Sequence, residues 1–248
     1  ISSAANGSGS TTLSFYAANG VVVGGGYNNA ASGPSTTIAG GWGNTASGDY
    51  GFVGGGDQNS ASGYMSTASA GYCNKTSGRY GTIVGGFRNC SNGFNSFIGG
   101  GLCNQIYNAT SGCLAFGATI AGGVGNNTTG GTFTLANCSF TVAPTVCTAG
   151  QYSFIGGGFQ NRATNTYTTI GGGLQNQATG LYAISAGGNG NIASGVTSTI
   201  SGGGDNIANG NYYSTIGGGY NNTSSAHSST VSGGYQRSEE HTSELQSH

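Results

Sequence analysis

The sequence predicts an all-β protein built as a parallel β-solenoid of about thirteen coils of fifteen residues each. The first observation is an asparagine that recurs at intervals of fifteen, at positions 29, 44, 59, 74, 89 and 104, and again at 161, 176, 191 and 206. The second is that an apolar residue usually stands six positions before this asparagine, and a glycine often four positions after it. A fixed short period indicates stacked supersecondary units.

Each part of the repeat has a predicted role. Segments such as Thr36–Ile38 are β-prone, whereas Asn beside Gly is typical of turns because both residues tolerate positive φ. A coil of this length has a perimeter of at most about 50 Å, enough for two short strands on facing sheets about 10 Å apart. The predicted core is the Ile/Val position and the alanine two residues after each Asn. The glycine runs are expected to let the facing backbones approach closely.

Composition excludes several classes of protein. Glycine accounts for 53 of 248 residues, proline for 2 and charged residues for 4 %. Disorder is disfavoured because apolar residues keep a fixed phase and the net charge is only −1. Lys75, Arg79, Arg88 and Arg162 are the only basic residues before position 237, too few for a nucleic-acid groove. No apolar run of about 18 residues is present, so no membrane span is expected either.

The chain lacks the residues that catalysis requires. Asp49, Asp57 and Asp205 are the only carboxylates before position 237, and His227 is the only histidine there. The predicted stacking separates Asp57 from Asp205 by about 50 Å, and without a base no Ser or Thr is activated as a nucleophile. We therefore expect no enzyme activity, no catalytic residues, no metal site and no cofactor.

Six cysteines, Cys73, Cys90, Cys103, Cys113, Cys138 and Cys147, contain no CxxC pair that would suggest zinc. Disulfides are favoured over free buried thiols because the chain has the composition of an extracellular protein. The expected pairs are Cys103–Cys113, Cys138–Cys147 and Cys73–Cys90. A Cys73–Cys103 bridge is excluded because these residues share a phase two coils apart, about 9.6 Å.

The repeat defines the boundaries of the chain's segments. Residues 1–22 fit the register poorly, and the Gly-rich solenoid is expected over 23–236. Two insertions interrupt it, near 105–117 and 131–147. The first looks like a coil plus seven residues, and the second like two coils plus five, with Val146 in the Asn position. Residues 237–248 match the translation of a common sequencing-library adapter and are expected to be an artefact.

The insertions and the outward-facing columns are the candidate binding features. Insertions in solenoids often bind ligands, and their large apolar side chains are the candidate contacts: Tyr107, Leu114, Phe116, Phe133 and Phe140. The alternative is that these loops only cover the core. A tyrosine column (Tyr50, Tyr80, Tyr152, Tyr167 and Tyr182) suits either sugar rings or the packed face of an oligomer. A nearby threonine column suggests ice binding, although phenylalanine interrupts it.

The repeat, as in Ile170–Gly180 or Ile216–Asn222, resembles the YadA-like head repeats of trimeric autotransporter adhesins, and similar repeats occur in phage tail fibres. The resemblance covers about 23–236, although the period is one residue longer than is usual in that family and cysteines are more frequent. It implies a left-handed β-roll, a homotrimer, an extracellular or cell-surface location, and a host-surface or matrix protein or glycan as partner. A purely structural surface fibre or spacer is the alternative function.

Overall fold

A computed structural model describes residues 20–107, 115–134 and 139–239. This part of the chain is all-β, without a helix, and forms a parallel β-solenoid of about fourteen turns with about 15 residues per coil. The predicted fold class is thus confirmed. No described segment forms a helix that is long and apolar enough to cross a membrane.

Almost every strand is only two residues long, because each coil must turn again after a few residues. The strands, in chain order, are β1 (Val22–Val23), β2 (Ala30–Ala31), β3 (Thr37–Ile38), β4 (Thr45–Ala46), β5 (Phe52–Val53), β6 (Ser60–Ala61), β7 (Thr67–Ala68), β8 (Lys75–Thr76), β9 (Thr82–Ile83), β10 (Cys90–Ser91), β11 (Phe97–Ile98), β12 (Gln105–Ile106), β13 (Thr119–Ile120), β14 (Thr128–Thr129), β15 (Thr132–Thr134), β16 (Ser139–Val142), β17 (Thr145–Val146), β18 (Phe154–Ile155), β19 (Arg162–Ala163), β20 (Thr169–Ile170), β21 (Gln177–Ala178), β22 (Ile184–Ser185), β23 (Ile192–Ala193), β24 (Thr199–Ile200), β25 (Ile207–Ala208), β26 (Thr215–Ile216), β27 (Thr223–Ser224), β28 (Thr230–Val231) and β29 (Ser238–Glu239).

The strands form two faces. The first face is one continuous parallel sheet of thirteen strands, in the order β1-β3-β5-β7-β9-β11-β13-β18-β20-β22-β24-β26-β28. The second face consists of two six-stranded parallel sheets, β2 to β12 and β19 to β29 in steps of two. Partners on neighbouring regular coils are fifteen residues apart, as in Ile38 with Val53. The second insertion lies between the two sheets of the second face.

The predicted core positions are confirmed. On the first face, the apolar residue six positions before Asn is almost fully buried, as at Ile38, Ile98 and Ile170. On the second face, the alanine two residues after Asn is equally buried, as at Ala61 and Ala178. The core is therefore one Ile-sized and one Ala-sized side chain wide, and most of the other buried side chains are Asn, Ser and Thr.

The recurring asparagines follow a bend of the chain, as the turn prediction requires, and their side chains are buried in the core. These ladder asparagines are Asn29, Asn44, Asn59, Asn74, Asn89, Asn104, Asn126, Asn161, Asn176, Asn191, Asn206 and Asn222, and their exposed fraction never exceeds 4 %. In Asn176, for example, Nδ2 donates to Gly172 O and Gly188 O, both at 2.9 Å, and Oδ1 accepts from the backbone N–H of Asn191 at 3.0 Å. One side chain thus serves its own coil and the next.

Apart from glycine, nearly all residues with positive φ occupy two other positions of the repeat. They stand one residue before the ladder asparagine, as in Gln175 (φ 54°), or six residues after it, as in Tyr167 (φ 57°) and Tyr182 (φ 59°). For a residue other than glycine, this left-handed backbone costs about 1–2 kcal/mol. The fold accepts this cost once or twice per coil, because the hydrogen bonds between coils fix the backbone there.

Glycine is required for contact between successive coils, so the prediction that the glycine runs serve the close approach of the facing backbones is wrong. At Gly56 (φ 86°), an added Cβ would lie 2.3 Å from Gly71 O and 2.7 Å from Asn59 Nδ2. At Gly48, it would lie 2.1 Å from Gly63 O. Both clashing carbonyls belong to the next coil, so the steric limit acts along the stack and not across the core.

The prediction for the first insertion is confirmed, and the prediction for the second insertion is wrong. Ile98 pairs with Ile120, so the first interruption is indeed one coil with seven extra residues, 108–114, which lie outside the described part. The second interruption contains no intermediate coil, because Ile120 pairs directly with Ile155. Accordingly, Asn161 N–H donates to Asn126 Oδ1 across a sequence separation of 35 residues. Val146 does not occupy an Asn position but lies in β17, which pairs antiparallel with β14.

The register continues to residue 239. Arg237, which stands where Asn is due, donates its backbone N–H to Asn222 Oδ1 at 2.9 Å, and β29 pairs with β27. These contacts use the backbone of residues 237–239 and need no particular side chain. The assignment of 237–248 as an adapter translation therefore stays a prediction.

The asparagine ladder makes a testable prediction about stability. Replacing Asn176 with Ala should lower the free energy of unfolding by about 2–5 kcal/mol, because Gly172 O, Gly188 O and the Asn191 N–H lose their side-chain partner inside the protein. Urea unfolding followed by circular dichroism measures this change. Asn189→Ala is the matched control, since Asn189 is exposed, and should change stability by about 0.5 kcal/mol or less. Equal midpoints for the two variants would contradict the role given to the ladder.

Candidate functional site

The most prominent departure from the regular stack is an insertion on the second face, residues 129–148, called here the hairpin insertion. The chain leaves the stack after Thr128, and β14 pairs antiparallel with β17 at its base. Farther out, β15 and β16 pair antiparallel, with a register shift between Thr132 and Phe133. The chain returns at Thr148, which forms a parallel bridge with Tyr107 of the preceding coil. The insertion is therefore an ordered hairpin at its base and on both sides of the undescribed residues 135–138.

Three phenylalanines hold the hairpin insertion against the solenoid. The ring centroid of Phe133 lies 5.2 Å from that of Phe140 and 5.5 Å from that of Phe159, which belongs to the next coil. Phe140 and Phe159 lie 6.2 Å apart. Gln160 Nε2 also donates to Gly130 O at the start of the hairpin. Phe133 and Phe140, predicted as ligand contacts, thus pack together as an anchor and are only half-exposed.

The other predicted contact residues lie elsewhere. Tyr107 is 41 % exposed at the base of the hairpin insertion, beside Thr148. Phe116 is half-buried and stacks on Phe94, in a different column of the solenoid. Leu114 lies outside the described residues. The structure therefore brings Phe133 and Phe140 together, places Tyr107 near the hairpin's base, and puts Phe116 among other aromatic residues.

Phe116 belongs to a continuous row of eight rings, called here the aromatic array, which includes the whole predicted tyrosine column. Neighbouring ring centroids are 4.9 to 5.7 Å apart. Its members, in order, are Tyr50, Tyr64, Tyr80, Phe94, Phe116, Tyr152, Tyr167 and Tyr182. The sequence pattern missed Tyr64, Phe94 and Phe116, because they stand one position earlier in the repeat.

The geometry of the aromatic array bears on what it can bind. Tyr167 is nearly parallel to both Tyr152 and Tyr182, with interplanar angles of 8° and 3° and centroid distances of 5.1 Å. Each of these rings covers its neighbour's face, so mainly ring edges and hydroxyl groups face the solvent. Sugars stack on open ring faces, which this section of the array does not offer. The exposed edges are better suited to packing against another protein surface.

A polar pocket of 280 Å³ lies beside the hairpin insertion. It is lined by Thr128, Thr129, Gln160, Arg162, Gln175, Gln177 and Gly190. The glutamines and the arginine come from two positions that flank the ladder asparagines of neighbouring coils. None of these residues was singled out from the sequence. The available signal was the pair of successive segments Gln160-Asn161-Arg162 and Gln175-Asn176-Gln177, which place long polar side chains in register.

The described cysteines are free thiols. Cys73, Cys90, Cys103 and Cys147 form no disulfide in the structure, while Cys113 and Cys138 lie outside the described residues. Burial raises the pKa of the Cys90 thiol, and Lys75 partly offsets this shift. Burial likewise raises the pKa of Cys103, partly offset by Arg88. Both thiols are therefore held in the neutral, less nucleophilic form. The predicted Cys73–Cys90 pair is therefore not formed in the structure, and the Cys103–Cys113 and Cys138–Cys147 pairs stay predictions.

The threonine column and the acidic, histidine and cysteine side chains offer weaker candidates for a binding site. The outward column of the first face contains threonines, but Phe52, Phe97 and Phe154 interrupt it, each paired in register with a threonine. Within residues 20–107, 115–134 and 139–239, no three His, Cys, Asp or Glu side chains converge into a group that could hold a metal ion.

Comparisons with known proteins assign no family. No protein-family model matches the chain, and no curated protein sequence matches it significantly. The fold and the geometry of the insertions are therefore the basis for a functional proposal.

The aromatic anchor of the hairpin insertion can be tested by mutation. Phe159→Ala removes the solenoid's ring from its contacts with Phe133 and Phe140, so amide hydrogen exchange in residues 129–146 should become markedly faster. Exchange followed by mass spectrometry measures this change. In the control Phe154→Ala, a 40 % exposed ring on the first face is removed, and exchange in the hairpin should not change. Unchanged protection in Phe159→Ala would show that the rings do not hold the hairpin.

Proposed function

We propose that the protein is a non-enzymatic extracellular adhesin or fibre-head module, in which a rigid β-roll displays ligand-binding insertions. The observation that carries the proposal is the hairpin insertion. It is the longer of the two insertions in the stack, and Phe133 and Phe140 pack it against Phe159 of the next coil. An ordered loop on a rigid scaffold loses little conformational entropy when a ligand binds.

Further support comes from the position of the binding features relative to the stack. Both insertions begin three or four residues after a ladder asparagine, and the ladder continues past them without a break. Tyr107, at the hairpin's base, remains substantially exposed. The proposed partner is a host-surface or matrix protein or glycan, and the proposed location is the cell surface or the extracellular space.

A structural fibre or spacer is the alternative, in which the insertions only cover the core. The packing of Phe133 and Phe140 against Phe159 is compatible with this alternative, since these rings serve the hairpin's own fold. We do not propose ice binding, because the aromatic residues that interrupt the threonine column prevent a flat, uniform row of hydroxyl and methyl groups.

Two deletions that preserve the fifteen-residue phase distinguish a protein that displays a binding site from a purely structural spacer. The Asn126–Asn161 interval exceeds the regular interval by twenty residues, and deleting 129–148 brings Thr128 next to Ala149 in a regular coil. If the hairpin insertion displays the binding site, binding of the protein to host cells or matrix should fall at least tenfold. Flow cytometry with labelled protein measures this binding.

The control deletes residues 108–114 and restores the regular interval between Asn104 and Asn126 in the same way. Both variants should keep the β-rich circular dichroism spectrum and a cooperative unfolding transition, because each restores a standard coil. Undiminished binding in both variants would refute the display function and leave the spacer. Loss of binding only in the 108–114 deletion would move the site to the first insertion.

We further propose that the protein forms a homotrimer that packs the aromatic array between subunits. Tyr152, Tyr167 and Tyr182 are each 46–49 % exposed along one line, an unusual amount of aromatic surface for a monomer. Their stacked arrangement presents edges that suit a packed interface.

Light scattering at micromolar concentration should give three times the monomer mass. Replacing Tyr152, Tyr167 and Tyr182 together with Ser should give monomers, because the exposed rings of the proposed interface are lost. Replacing Phe52, Phe97 and Phe154 with Thr, the residue that dominates their column, should leave the trimer intact. A monomeric wild type, or equal masses for the two variants, would count against this interface.

A further inference from the structure

The polar pocket beside the hairpin insertion has the properties of a binding site for a charged group. Its only charged lining residue is Arg162, while the carboxylate of Asp205 lies beside the lining residue Gly190. The other lining side chains are the amides of Gln160, Gln175 and Gln177 and the hydroxyls of Thr128 and Thr129. The wall formed by Thr128 and Thr129 is the base of the hairpin, and the remaining wall belongs to the regular coils.

Arg162 has an unused donating edge. Its Nη1 donates to Gln177 Oε1 at 3.3 Å, which turns the opposite edge, formed by Nε and Nη2, away from that contact. Nε is shielded from water and has no hydrogen-bond partner. An unpaired buried donor on a charged group is unfavourable, and a carboxylate is the group that matches the Nε–Nη2 edge with two parallel hydrogen bonds. Pairing of a ligand with this edge requires a change of the Arg162 rotamer, because Nε is shielded from water.

The neutral part of the lining is ordered and suits hydroxyl groups. Gln175 Nε2 donates to Gln160 Oε1 at 3.3 Å, and Gln160 Nε2 donates to Gly130 O. This chain of hydrogen bonds fixes the orientation of the two amides. It leaves Gln175 Oε1 with acceptor capacity, and the threonine hydroxyls can donate or accept. Amides and hydroxyls fixed beside an arginine match a ligand that carries several hydroxyl groups and one carboxylate.

We propose that this pocket binds a carboxylate-bearing sugar, such as a uronic acid residue of a glycan. At 280 Å³, the pocket lies near the lower end of ligand sites, about 300 Å³, and therefore accommodates one sugar ring. Arg162 pairs with the carboxylate, while Gln175 and the threonines contact the ring hydroxyls. The inference rests on the proposed function, because it names the ligand class of the displayed hairpin's base.

The test is a titration of the full chain, labelled with ¹⁵N at the arginine side chains, with D-glucuronic acid, D-glucose and acetate. Glucuronic acid and glucose differ only in the carboxylate, and acetate supplies the carboxylate without the ring. Glucuronic acid should shift the Arg162 Nε–H resonance and bind at least tenfold more tightly than either of the others. Equal binding of glucose, or equal binding of acetate, would overturn the proposal.

Variants identify the residue responsible. Arg162→Gln should weaken glucuronic acid binding at least tenfold, the loss expected for a charge-assisted hydrogen bond. Arg162→Lys should retain part of the binding, because it keeps the charge without the planar fork. Arg88→Gln is the matched control, since Arg88 lies over the Phe87 ring and outside the pocket lining, and should bind as the wild type does. Wild-type affinity in Arg162→Gln would overturn the assignment.

Failure of this inference can be distinguished from failure of the proposed function. If deletion of 129–148 abolishes cell binding but the intact protein does not bind glucuronic acid, the display function stands and the acidic-sugar site is wrong. If glucuronic acid shifts the Arg162 Nε–H resonance but cell binding does not depend on the hairpin insertion, the pocket binds the acidic sugar and the display function is wrong.

Discussion

The structure depends on one side-chain interaction, repeated in every coil: the buried amide of the ladder asparagine. An amide can donate two hydrogen bonds and accept two, and here its donors and its oxygen all meet backbone groups. In Asn176, the partners lie in its own coil and in the next, so the side chain joins coils as well as closing a turn. A core only one Ile and one Ala wide buries little apolar surface. The hydrogen bonds of the ladder asparagines fix which residues of successive coils pair with each other, which such a core cannot do.

This interaction also explains the composition. Because each Nδ2 must reach the carbonyl of the next coil, the adjoining backbones come within a distance that leaves no room for a Cβ, as at Gly56. Glycine is then a steric requirement of the stack. The left-handed positions, by contrast, accept Tyr, Gln, Cys and Arg. The surface is therefore variable at these positions, while the interior is nearly invariant along the stack.

The sequence predicted the fold class, the coil length and the core positions, because a period of fifteen is visible without any knowledge of contacts. It did not predict that the asparagine side chain is buried, because Asn beside Gly is common in exposed turns and nothing local distinguishes such a turn from one that ends in a buried amide. It also inferred an extra coil around Val146, because 35 residues can hold two coils, and only the pairing of Ile120 with Ile155 excludes this. The pocket at Arg162 was missed because it joins the hairpin to side chains from two coils.

The two insertions begin at nearly the same point of the coil, three or four residues after the ladder asparagine. There the chain can add residues without altering the pairing on the first face, which continues from Ile98 to Ile120 to Ile155. Inserts of very different length are thus tolerated because the register is kept by the amide and apolar columns elsewhere in the coil. Any regular coil should accept a grafted peptide at this point. The solenoid is therefore a scaffold in which the peptide inserted into one coil can be replaced without changing the other coils.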